Sequence, residues 1–281
     1  MQKITAMTLG IDIGGTTIGL GVVQDGKIIR KVSVPSFPAG ATLDQTLDYL
    51  SEQIAGILPA EATKIGIGVP TVVDVEKGIV YEATNIPSWQ EVHLKECLEA
   101  RFPVTVAVNN DANCFAMGAY AAYPKEQKPE VLVGITLGTG VGIGIIDRGR
   151  LFGGANCGAG ELGCLPFRSG ILEDYCSKKF FESRNLNSLE MAQAAEKKDP
   201  KALALFDELG ANLGELVCAV LFAYDPSHIA FGGGVSYNYP YFRKSMEDYM
   251  KKNFPYHNTV DRLKIDVFTG GDVLVTGAAL I

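Results

Sequence analysis

The chain has 281 residues, 47% of them hydrophobic, with 32 glycines and no low-complexity run, enough apolar sequence for one large domain or two modest ones, each with a core. A formal net charge of −7, with no Lys/Arg cluster longer than a pair, argues against nucleic acid as a partner. No uncharged apolar run approaches the length of a membrane span and no signal-peptide pattern is present; the six cysteines, none in a CxxC pair, read as free thiols of a reducing compartment, so a cytoplasmic protein without membrane partners is expected.

The stretch LGIDIGGTTIGLGVVQDGKII, Leu9 to Ile29, predicts a strand, a Gly-rich turn, a second strand, an Asp25-Gly26 hairpin and a third strand. A structural hairpin needs turn residues, but not an acid, Asp12, two residues before Gly14, Gly15, Thr16 and Thr17. Glycines there let backbone N–H groups approach an anion, and the hydroxyls add donors. A plain glycine hairpin is the competing reading, and the GxxxxGK[ST] phosphate loop is absent.

Leu43, Leu47, Leu50, Ile54 and Leu58 recur at helical spacing, with Pro59 just beyond. Two short strands are expected around Pro70. The segment VTVAVNNDANCFAMGAYAAY then predicts a β-branched strand that becomes a helix at Asn110-Asp111. Either residue suits a helix cap, yet the same placement brings Asp111 to the carboxyl end of a strand, where α/β folds bind ligands.

Val133 to Phe152 replays the opening as strand, Gly/Thr turn, strand, Arg-Gly hairpin, strand, which suggests a duplicated architecture. Its turn carries Gly138, Thr139, Gly140 and Gly142, and a third glycine turn, Gly232, Gly233 and Gly234, follows the strand in HIAFGGGVS. Each turn alone is a weak signal; three after apolar strands in one chain favour a ligand over turns only. Two periodic helices span Ser188 to Tyr224, a strand lies in RLKIDVFTG, and DVLVTGAALI closes the chain as a helix. Glu161 sits among glycines in GAGELGCLPF and Glu173 opens a helix in ILEDYC; surface acids are the default for both.

Taken together and in order, LGIDIGGTTIGLGVV, GIGVPTVVD, ATNIPSWQ, NNDANCFAMGA, LGTGVGIGIIDRGRL, GAGELG, LEDYCS, IAFGGGVS and the terminal GAAL make the sequence resemble the ROK family of sugar kinases, nearly end to end. The resemblance implies an α/β, duplicated, actin-like ATPase fold (ribonuclease H-like) with two lobes around a cleft. Residues 1–115 would form a small N-terminal lobe, completed by the C-terminal helix at about 270–281, and residues 116–269 the larger lobe.

It further implies a glucokinase-like, ATP-dependent sugar kinase, acting as a homodimer. Asp111 would be the base, Asn110 would hold a neighbouring hydroxyl, and Glu161, Glu173, Asn85 and the backbone at Pro70 would complete the sugar pocket. Gly14 to Thr17 and Gly138 to Gly142 would hold ATP phosphates, Gly233 and Gly234 would border the adenosine, and Asp12 would orient Mg²⁺ through water. The alternatives are fructose or an N-acetylhexosamine as acceptor, or a non-catalytic sugar or nucleotide sensor of the same fold.

One departure is large. The family's histidine after GELG is replaced by Cys164, and the following loop is short and lacks the paired cysteines of the family's zinc loop. No structural zinc is expected, since Cys157, Cys164 and Cys176 have a spacing unlike known zinc motifs.

Overall fold

The structure, a computed structural model, describes residues 7–83 and 85–281. The first six residues, on which part of the signal-peptide reading falls, and Thr84 of the ATNIPSWQ motif lie outside the described residues.

Alternating apolar residues make the opening strands β1 (Met7–Ile13), β2 (Thr17–Gln24) and β3 (Lys27–Pro35). Asp25 and Gly26 both take positive φ, 52° and 73°, the mirror-image turn that matches the twist of a two-residue hairpin. Helix α1 (Leu43–Ile57) starts at a capping box in which Thr42 and Gln45 satisfy one another's backbone N–H groups, and its buried stripe is Leu47, Leu50, Ile54 and Ile57. Strand β4 (Ala62–Val69) follows. Past Pro70 the chain forms a small antiparallel sheet of β5 (Val73–Asp74), β6 (Ile79–Tyr81) and β7 (Glu91–Val92), then α2 (Leu94–Glu99), β8 (Thr105–Asn110) and α3 (Asp111–Ala122).

The second half opens with β9 (Val131–Leu137), β10 (Val141–Asp147) and the two-residue β11 (Arg150–Leu151). After a short hairpin of β12 (Pro166–Phe167) and β13 (Gly170–Ile171) come α4 (Leu172–Cys176), α5 (Lys179–Glu182), α6 (Ser188–Glu196) and the long α7 (Pro200–Tyr224). Asp199 caps α7 and Pro200 occupies its first turn, where a missing N–H costs nothing. The chain ends with β14 (His228–Gly232), α8 (Tyr239–Asn253), α9 (His257–Arg262), β15 (Lys264–Val267) and α10 (Asp272–Leu280).

The two main sheets share one topology. The first runs β3-β2-β1-β4-β8 and the second β11-β10-β9-β14-β15, each an antiparallel meander of three strands extended by two parallel ones. The near-repeat read in the sequence is thus a repeated sheet, as a duplicated actin-like fold requires.

The chain divides into two compact units: one of the described residues up to Gln127 with Leu151–Ala159 and Gly270–Ile281, the other of Lys128–Arg150 and Gly160–Thr269. The expected boundary at 115 falls inside α3, which stays whole because its inner face packs on α10: a Cβ at Gly118 or Gly277 would overlap the carbonyl oxygen of Val273 or Cys114. The inclusion of Leu151–Ala159 was not expected.

In the first unit the period of two along β1 sets the site. Leu9, Ile11 and Ile13 join the buried cluster that includes the apolar stripe of α1. Gly10 and Asp12 alternate with them, and α10 lies directly on the backbone at Gly10 and at Gly66 of β4, where no Cβ would fit. Asp12 therefore ends a sheet face that a helix has sealed from water.

Candidate active site

Asp12 pairs in register with Gly68 of β4, and Gly68 with Asn109 of β8. At Gly68 a Cβ would lie 3.5 Å from Asp111 Cα and 3.2 Å from Cys114 Sγ, so the glycine leaves no side chain between the acids. Burial, with the charge of Asp111 added, pushes the Asp12 carboxyl up from 3.8 to about 7. Beneath them, burial and then the charges of Asp111 and Asp12 push the Cys114 thiol far up, which keeps it neutral.

The cap of α3 is Asn110: its Oδ1 accepts from Ala112 N at 2.9 Å, and its Nδ2 donates to the carbonyl of Thr71, the residue after Pro70, at 3.2 Å. Asp111 is the first helical residue, with its own Oδ1 2.7 Å from Ala112 N. Behind this junction Asn109 Oδ1 accepts from Asn110 N at 2.8 Å and from Asn113 Nδ2 at 2.9 Å, and Cys157 Sγ lies 3.5 Å from the same oxygen. Asn113 Oδ1 is buried without a hydrogen-bond partner. A cavity of about 740 Å³ opens beside this junction, within the first unit, walled by Val72, Val75, Tyr81, Asn109, Asn156 and Cys157.

The Gly14 to Thr17 turn closes with Gly14 N donating to Thr17 O at 2.9 Å. Ser36 fixes it from the end of β3: its N–H donates to Thr16 O at 2.9 Å and its hydroxyl to Gly14 O at 2.8 Å. Gly15, Thr16 and Thr17 stay exposed. Asn85 stands beside Gly15, whose Cβ position is 3.5 Å from Asn85 Cγ. Its loop is anchored by the fully buried Trp89, whose Nε1 donates to Thr46 Oγ1 at 2.8 Å.

In the second unit Gly138 N donates to Gly140 O at 3.0 Å, while Gly138 O accepts from Lys178 N at 2.9 Å. Gly233, at φ 82°, lies against Leu137, the residue before Gly138: a Cβ there would be 2.5 Å from Leu137 O, so only glycine fits both the dihedral and the space. The second and third glycine turns thus meet. Glu173, at the start of α4, accepts from Val141 N at 2.9 Å and from Lys179 Nζ at 2.6 Å. Glu161 opens a short 3-10 turn and is exposed, with Cys164 Sγ 3.8 Å from its Oε2. Burial and the nearby carboxylates of Glu161 and Glu173 push the Cys164 thiol up.

Each unit thus gathers its share of the expected residues. The first brings together Asp12, Asp111, Asn110 and the backbone after Pro70, with Asn85 at the Gly14–Thr17 turn; the second brings together Gly138–Gly142, Gly233, Glu161 and Glu173. Sequence reasoning passed over Ser36, Asn109, Asn113 and Lys179, and weighed Cys157 only as a zinc ligand. Among them only Asn109 and Asn113, inside the quoted NNDAN run, carried a sequence signal: polar residues at a strand-to-helix junction that otherwise reads apolar.

A sequence model of the ROK family matches residues 8–272. A glucokinase of Halalkalibacterium halodurans is 30% identical over 266 residues, covering 81% of this chain and 80% of its own. An N-acetyl-D-glucosamine kinase of Shigella boydii is 31% identical over 278 residues, covering 86% and 88%. Among solved structures, a ROK family glucokinase from Streptomyces griseus in complex with glucose and AMPPNP superposes with a TM-score of 0.80 at 28% identity, over 98% of both chains. The two repeated sheets have the actin-like ATPase fold of these kinases, and the chain belongs to the ROK family.

Proposed function

We propose that the chain is an ATP-dependent sugar kinase that transfers the γ-phosphoryl group to a hydroxyl of a hexose, glucose in the simplest case, with Asp111 as the base. The carrying observation is the pair of acids across Gly68: Asp12, at the end of its strand face, is held near neutrality by burial and by Asp111, and Asp111 opens α3 beside it.

Phosphoryl transfer passes through a loose transition state, so catalysis rests on in-line positioning and on neutralising phosphate oxygens. Asp111 accepts the proton of the attacking hydroxyl late in the transfer. Asn110, already fixed by Thr71 and by the helix start, offers its amide to a neighbouring hydroxyl, and Glu161 and Glu173 accept from others, as a polyol whose hydroxyls both donate and accept requires. In this reading the Gly14–Thr17 and Gly138–Gly142 turns would hold the phosphates through the N–H groups left over once Gly14, Gly138 and Val141 have donated within the protein, with Gly233 and Gly234 at the adenosine.

The residues fit Mg²⁺. Two hard carboxylates stand close enough to raise one pKa, and among the described residues no group of three or more His, Cys, Asp or Glu gathers; Mg²⁺ keeps most of its waters and takes one or two carboxylates plus substrate phosphates. Asp12 would orient the ion through water, and the ion would supply charge neutralisation at the phosphates. No structural zinc is part of this reading, and stoichiometric zinc in the purified protein would contradict it. A cytoplasmic homodimer completes it.

The cavity beside Asn109, with the exposed apolar side chains Val72 and Val75 in its wall, favours a second acceptor class, N-acetylhexosamines, whose methyl group it would take. ADP release measured over glucose, fructose, mannose, N-acetylglucosamine and N-acetylmannosamine, with the wild type and Asp111→Ala side by side, tests the reading. Turnover of one sugar, lost in the variant while sugar binding persists, is expected; sugar binding without turnover in the wild type would favour the sensor.

A further inference from the structure

Asn109, next to the last residue of β8, gathers three donors on one oxygen. Its Oδ1 accepts from Asn110 N at 2.8 Å and from Asn113 Nδ2 at 2.9 Å, and the Cys157 thiol donates to it at 3.5 Å. The sulfur also accepts from Asn113 Nδ2 at 3.6 Å, so the three side chains close a ring. All three are buried, Asn113 almost completely at 2% exposed. Cys157 belongs to the segment Leu151–Ala159, which is part of the first unit and lines one side of the cavity beside Asn109 through Leu151 and residues 153–157.

Two features of this cluster are unfavourable if its only task is to fill space. Cys157 holds φ 57°, a left-handed conformation that glycine adopts without strain and that a cysteine keeps only where its contacts over-determine it. Asn113 leaves its Oδ1 buried without a partner among the described residues, whereas a leucine of similar size would bury no polar atom there. Exchanging the oxygen and nitrogen of the Asn113 amide gives no relief, because it would set an oxygen against Asn109 Oδ1, which the Asn110 N–H identifies as the acceptor. A glycine would make the turn and a leucine would fill the core; the residues present supply instead an S–H and an N–H, both directed at Asn109.

We propose that Asn109, Asn113 and Cys157 are positioning residues for the acceptor: through one shared oxygen they hold the Asn110–Asp111 junction and the Leu151–Ala159 wall of the cavity in a fixed relation. The role rests on the acceptor reading of this junction given above, in which none of the three meets a phosphate. Loosening the cluster therefore falls on the acceptor and spares ATP.

The test is steady-state kinetics with ATP and acceptor varied separately, together with melting temperatures, for wild type, Cys157→Gly, Cys157→Ser and Asn113→Leu. Cys157→Gly suits the left-handed turn but loses the donor, and should raise the acceptor KM about tenfold, the equivalent of about 1.4 kcal/mol. Asn113→Leu removes the buried unpaired oxygen together with the N–H, and should lower kcat/KM for the acceptor about tenfold. In both variants the ATP KM should stay within about twofold of wild type. Cys157→Ser keeps a donor and should recover the acceptor KM to within about threefold. A structural role alone predicts another split, a changed melting temperature with acceptor kinetics within about twofold of wild type; that result in either Cys157→Gly or Asn113→Leu, an equal rise in the ATP KM, or a serine as poor as the glycine would overturn the proposal. If the wild type turns over no sugar, the kinase reading fails by itself, and calorimetric binding of glucose and N-acetylglucosamine decides the cluster separately: about tenfold weaker binding by Cys157→Gly supports it, and equal affinity overturns it. A wild type that binds neither sugar overturns both.

Discussion

Asp12 feels the charge of Asp111 across a single glycine: β1, which carries Asp12, and β8, which leads into Asp111, flank β4, and Gly68 has no side chain to separate the two acids. The cost is visible in the raised pKa of Asp12, about 7 against an ordinary 3.8, from burial first and Asp111 second. A carboxyl whose pKa is higher in the folded than in the unfolded chain binds its proton more tightly when folded, so the stability it contributes is complete below about pH 4 and is lost as the pH rises through 7. In metal-free buffer, urea midpoints of the wild type should fall between pH 5 and pH 8 by more than those of Asp12→Asn, with a difference on the order of 3 kcal/mol as an upper limit. Equal pH dependence in the two proteins would show that Asp12 ionises freely.

Asp111 should act on chemistry and not on binding. Asp111→Ala is expected to lower kcat by about 10² to 10⁴-fold, the usual contribution of a positioned base, while the sugar dissociation constant stays within a fewfold. Because Asn110 and not Asp111 is the cap of α3, the melting temperature of the variant should stay close to that of the wild type. A kcat within tenfold of wild type would remove Asp111 from the role of base.

Much of this was legible in the sequence, for reasons that differ by element. The repeated strand, turn and hairpin were readable because alternation and the Asp25-Gly26 and Arg148-Gly149 pairs are local signals, and both hairpins take the expected positive φ values. The Asn110-Asp111 junction was readable from a β-branched run ending in polar residues, although which of the two caps the helix depended on geometry. Helix α8 went unread: its buried residues Phe242, Met246 and Met250 are spaced by four amid charged neighbours, and they are outweighed by polar residues until a partner, α7, is supplied. The bonds of Glu173 to Val141 and Lys179 were beyond reach because they join residues 32 and six positions apart, a tertiary fact with no local pattern. The glycines at the α10 contacts could not be picked out either: Gly10, Gly66, Gly118 and Gly277 are needed for close approach of backbones from different elements, which leaves no local pattern.

Asn110 has two separable jobs. As cap it satisfies Ala112 N, and through its amide it reaches Thr71 O. Asn110→Ala should cost about 1 kcal/mol of stability from the lost cap and also raise the acceptor KM. Asn110→Asp retains a capping oxygen but loses the amide donor, so it should keep the stability while the KM still rises. If Asn110→Asp restores both, the residue is only a cap and the sugar contact is withdrawn.

The packing of α10 predicts opposite signs for the same change at two glycines. Gly277 faces the backbone of α3, where a Cβ would overlap the Cys114 carbonyl oxygen; Gly277→Ala must force the helices apart and should destabilise by about 3 kcal/mol, the upper part of the range for overpacking a closed contact. Gly56, near the end of α1, is exposed, and a Cβ there would meet nothing within 4 Å. Its replacement by alanine only narrows the freedom of the unfolded chain, and Gly56→Ala should stabilise by about 0.5 to 1 kcal/mol. Because Cys114 packs one turn past Asp111 on the inner face of α3, Gly277→Ala should also lower kcat, whereas Gly56→Ala should leave it unchanged. Chemical unfolding and turnover measured on the two variants together decide the matter: a neutral Gly277→Ala would mean that α10 can slide on α3, and that the seal over the Asp12 face is looser than the glycine contacts require.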